Sequence, residues 1–227
     1  MGGGGTTPRG AAADAGRQTY INWKEAALTG PAALTGDGAP EALSLDEHLK
    51  QLLGVSEWDP KPTLLYFHRD HEEGKENRAW DKQCGDFNDE SIARWSQLYR
   101  FVEIDVAKSD AALLERFGMG EGPSFSVLDR NLEVVAKSGA LVGGKKVVGF
   151  LQSTVKAKFD ALWKDVSERL DAQRALLTDA KDLEKAKNLQ GALDKVREVT
   201  RSWLRVGEFY DDAVREEARL VRKLADD

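Results

Sequence analysis

The chain has 227 residues, 41% hydrophobic and 32% charged, with a formal net charge of -6, one cysteine and six tryptophans. That length suits one large domain or two small ones, and the acidic balance excludes a generic nucleic-acid-binding surface. A single cysteine excludes an intramolecular disulfide, a CxxC pair and a cysteine-based zinc site; no run approaches the roughly 18 apolar residues of a membrane-spanning helix.

Residues 1–41 read as a flexible Gly/Ala-rich N-terminal segment. Gly2 to Gly5, Ala11 to Ala13, Gly30-Pro31 and Gly36-Asp37-Gly38 are turn and linker chemistry. No apolar signal-peptide core is visible in it, so a soluble protein is expected, cytoplasmic, or periplasmic if a signal was removed. Only Tyr20 to Trp23, a short β-prone run, interrupts it as an anchor. Ser44 before Leu45, with Glu47 three residues on, is a capping-box pattern. It predicts a helix whose Leu45, Leu49, Leu52 and Leu53 share one face and which Gly54 closes. After the turn Asp59 to Pro62, Thr63 to Phe67 is an apolar run of buried-strand length.

A polar loop follows. His68, His71, Asp70, Glu72 and Glu73 are nitrogen and oxygen donors of the kind that bind divalent metals. A three-residue histidine spacing after a strand does not by itself set both rings on one face, so solvated loop charge is expected, with no metal ion and no cofactor. Cys84, the lone thiol, reads as a small apolar residue within a helix, because Asp81, Lys82 and Asp86 give no electropositive bias to lower its pKa. Asn88 or Asp89 caps a helix carrying Ile92, Trp95 and Leu98; Phe101 to Val106 is a second strand, and Ala111 to Phe117 a helix ended at Gly118. Ser124 to Leu128 and Leu132 to Ala136 form a hairpin around Asp129-Arg130-Asn131, and Lys145 to Leu151 starts another helix.

Residues 153–227 are charged and helix-prone. Phe159, Leu162, Trp163, Val166, Leu170 and Leu177 follow 3-and-4 spacing, a break is expected near Thr178-Asp179, and Ala186, Leu189, Leu193, Val196 and Trp203 resume it. Gly207 interrupts again before Phe209, Ala213, Val214, Leu220, Val221 and Leu224. This spacing predicts a helical appendage packed on itself or on the preceding domain. A homo-oligomer through these helices is the alternative.

The order of elements, with particular residues, resembles the thioredoxin-like superfamily, in its bacterial branch. Phe117-Gly118-Met119, then Pro123-Ser124, is similar to the family's segment leading into its cis-proline; Lys61-Pro62 before Thr63 resembles the entry to its central strand. Phe87 to Glu90, Ile92, Phe101-Val102 and Asp105 resemble the branch with a lengthened active-site helix. The resemblance covers about residues 42 to 152. It implies an α/β thioredoxin-like fold over 42–152, a central mixed sheet flanked by helices, with an all-helical extension over 153–227. It also implies a cis peptide bond before Pro123.

The family's CxxC pair would fall within His68 to Ala79, which holds no cysteine. Dithiol exchange needs an attacking and a resolving thiol, so that mechanism is excluded within one chain. The resemblance then implies a redox-inactive protein-binding, chaperone or scaffold module for a protein or peptide partner. Its peptide groove would be built from His68, Arg69, Glu121, Gly122, Pro123 and Ser124. The alternative is a monothiol redox enzyme or sensor using Cys84.

Overall fold

A computed structural model of the chain describes residues 21–31, 43–68, 89–120, 122–139, 141 and 143–226. Its strands are β1 (Lys24–Ala26), β2 (Thr63–His68), β3 (Arg100–Asp105), β4 (Ser124–Leu128) and β5 (Val134–Ser138). They form one mixed sheet in the order β1-β3-β2-β4-β5. β1 and β2 both run parallel to β3, β4 is antiparallel to β2, and β5 is antiparallel to β4. A parallel pair needs a long crossover and an antiparallel pair a tight turn. The β4–β5 turn is tied by Asp129, whose Oδ1 accepts from Asn131 N at 2.8 Å and Glu133 N at 2.9 Å. Leu132 takes φ 67° in that turn yet is buried, so β5 starts two residues later than the alternation predicts.

β2 is central, and all of Thr63 to Phe67 is buried, which accounts for its unbroken apolar run. Leu65 and Phe67 face helices α1 (Leu45–Leu53) and α3 (Ala111–Arg116), packing with Leu49, Leu53, Leu113 and Phe117. α1 carries the expected capping box, with Ser44 and Glu47 bonded reciprocally and Gly54 at φ 73°. Leu64 and Tyr66 face the opposite layer. There, α2 (Glu90–Ala93), a 3-10 turn (Arg94–Gln97) and α4 (Gly144–Lys158) supply Ile92, Trp95, Leu151 and Val155. Asp89 is the N-cap of α2.

The segment 1–41 is not all lead-in. Lys24–Ala26 is the edge strand, Leu28 is fully buried, and Leu28 N donates to Ser109 Oγ at 2.8 Å. β1 lies just beyond the β-prone run, whose Trp23 stacks on Phe101 at 5.1 Å.

The helical region comprises α5 (Asp160–Lys185), α6 (Leu189–Thr200) and α7 (Glu208–Asp226). The break expected near Thr178-Asp179 is absent. Thr178 Oγ1 donates to Arg174 O at 3.0 Å, satisfying its hydroxyl inside the helix, and the chain turns instead at 186–188, where Lys187 takes φ 61°. Leu177, Ala180, Leu193, Val196, Ala213 and Leu220 make a core of their own. The boundary expected at 152/153 falls inside α4, and the sheet's core does not stop there. Val166, Leu204 and Val206 are buried in it, and Phe159, Leu162 and Trp163 pack against it. Two glutamines fix this junction. Gln97 donates to Trp203 O at 2.7 Å and accepts from Arg205 N at 2.9 Å. Buried Gln173 donates to Leu204 O at 2.6 Å. Arg94 adds an ion pair to Asp211 and lies 4.9 Å from the Tyr210 ring centre.

Candidate functional site

β1, β3 and β2 are parallel, so their carboxyl ends reach one edge of the sheet, where β4 begins. In open α/β sheets this edge is where ligands bind. His68 ends β2 in register with Asp105, and Ser124 opens β4 opposite Phe67. The antiparallel register therefore brings Gly122 and Pro123 to the end of β2 that carries His68. Of the residues expected to form a groove, these four come together. Arg69 and Glu121 lie outside the described residues, as do Cys84 and His71.

The His68 imidazole is half-buried. Its Nε2 is 3.3 Å from Glu103 Oε1, and its ring stacks on Tyr66 at 5.6 Å and 20°. Tyr66 in turn stacks on Phe125 at 5.0 Å, so the imidazole caps an aromatic layer on a rigid strand. Beside it opens a cavity of about 260 Å³ lined by Glu25, His68, Glu103, Asp105 and Lys108 together with Ala26 and Ala27. Lys108 Nζ is 2.6 Å from Asp105 Oδ2, and Ala107 N donates to Asp105 Oδ1 at 2.9 Å. Glu25 and Glu103 are register neighbours on adjacent strands. Among the described residues that line it, three are carboxylates, one is an ammonium and one an imidazole.

Gly122, Pro123 and Ser124 do not line this cavity. Pro123 and Ser124 are buried, and Ser124 Oγ accepts from Gly120 N at 3.2 Å. That hydroxyl is committed to its own turn, leaving half-buried Gly122 as the accessible backbone. The cis bond expected before Pro123 is a correction: no cis peptide occurs among the described residues, so Gly122–Pro123 is trans. The tertiary amide favours trans by about 0.5–1 kcal/mol.

Glu103 and Lys108 escape a search for motifs, and Asp105 enters it only through the resemblance. The signal at Glu103 and Asp105 is positional, since they stand two apart near the end of β3 and therefore share one face. Among the described residues no group of three or more His, Cys, Asp or Glu is arranged to hold a metal ion. No helix among them is long and apolar enough to cross a membrane.

These features define the class as a mixed five-stranded α/β sheet whose core is completed by a C-terminal helical unit. Comparison with known protein families and with curated proteins finds no match.

Proposed function

We propose that the chain is a redox-inactive, thioredoxin-like protein-binding module of the chaperone or scaffold kind. The observation that carries this reading is the strand order β1-β3-β2-β4-β5, with only β4 and β5 reversed, in a chain holding one cysteine. A thioredoxin-like groove at the His68 end of β2 would keep the recognition of an extended peptide while lacking the covalent step. Fold analogy supplies part of this warrant. The remainder is chemical: an extended peptide pairing with the backbone at this end of the sheet would gain about 0.5–1.5 kcal/mol net per hydrogen bond. Three such contacts supply at most about 4.5 kcal/mol, which corresponds to binding of roughly millimolar strength.

The test uses the full chain with a photoreactive phenylalanine at Gly122 or, separately, at Val221 on α7. Adducts at 122, followed by calorimetric titration of the captured partner against His68→Ala, support the groove. Adducts at 221 alone move the binding surface to the helices. Insulin disulfide reduction should stay at background, because no resolving thiol exists. Turnover lost on Cys84→Ser would replace the binding module by a monothiol enzyme.

A further inference from the structure

We draw no further inference here: the strongest candidate, the outward face of α7 where Val214 and Val221 stand 43% exposed at a seven-residue spacing beside Arg215 and Arg222, carries nothing because nothing in the structure shows what covers it.

Discussion

Ser126 lies in β4 with its side chain fully buried, and its Oγ has no hydrogen-bond partner. A buried hydroxyl without a partner costs about 1–3 kcal/mol in protein mutational data. Removing it leaves only a small void, so Ser126→Ala should hold or raise stability by up to about 1 kcal/mol in urea unfolding. A loss larger than that would mean the hydroxyl is bonded in solution. Two glycines of α4 make a sharper pair. A Cβ on Gly144 would stand on the Asp89 carboxylate, whereas one on Gly149 meets nothing within 4 Å. Asp89 Oδ1 is already engaged, accepting from Ser91 N at 2.7 Å to cap α2. Gly144→Ala should therefore lose about 1–2 kcal/mol, through crowding and a weakened cap. Gly149→Ala should gain up to about 1 kcal/mol, the ordinary helix preference for alanine. Equal effects at both positions in thermal melts would remove Asp89 from the α4 terminus.

At the level of elements, α5 and α7 are cross-linked at one end. Glu184 accepts from Arg219 Nη1 at 2.8 Å and from Lys223 Nζ at 3.0 Å. The Arg219 hydrogen bond, with that of Lys223 behind it, holds the Glu184 carboxyl down at about 2. A depressed carboxylate contributes stability above its unfolded pKa, about 4.3, and loses it as pH falls through its folded value. The cluster is partly solvated, so its contribution is about 0.2–1 kcal/mol per pair. Glu184→Gln should lower stability by that amount at pH 7, and the gap to the parent chain should close between about pH 4 and pH 2. A gap that persists at pH 2 would assign the effect to packing rather than charge. Such cross-links were hidden in the sequence, where Glu184 and Arg219 are two charges among many on exposed faces. The elements themselves were more legible. Ser44 with Glu47 and Gly207 are local signals that hydrogen bonding or backbone geometry decides, and the Thr63 to Phe67 run reports a strand buried on both faces. The break expected at Thr178-Asp179 failed because a threonine can bond back to its own helix. Of the proposed site, the family resemblance pointed to His68 and Gly122 to Ser124, and the register brings these to one end of β2. Glu25 meets Glu103 only through a pairing register that spans most of the sheet unit.

For the whole molecule, the question is whether the sheet unit and the helical region are separable. The family resemblance divides them at 152/153, because it follows the order of elements and not which partner buries their apolar faces. Packing divides them differently. Val166, Leu204 and Val206 are at most 2% exposed, and all three complete the sheet's core. Burying an aliphatic side chain of this size contributes about 1.5–3 kcal/mol, so these three alone supply roughly 5–9 kcal/mol. That is comparable with the whole stability of a typical domain, about 5–15 kcal/mol. The junction's polar groups add to the loss. Removing residues 159–227 strips Trp203 O and Arg205 N from Gln97, and leaves the Arg94 guanidinium without Asp211. A chain ending at Lys158 should therefore bind a hydrophobic dye, lose near-ultraviolet circular dichroism and associate in light scattering, while the full chain does none of these. A well-folded monomer from the shorter chain would show instead that the helical region is an independent appendage resting on a complete core. A milder variant separates the two outcomes without deleting anything. Leu204→Ala should cost about 2–5 kcal/mol if the segment is part of the sheet's core, and the loss should appear as one cooperative transition. Two separate transitions, with only the helical one displaced, would place Leu204 in a cap that the sheet can do without.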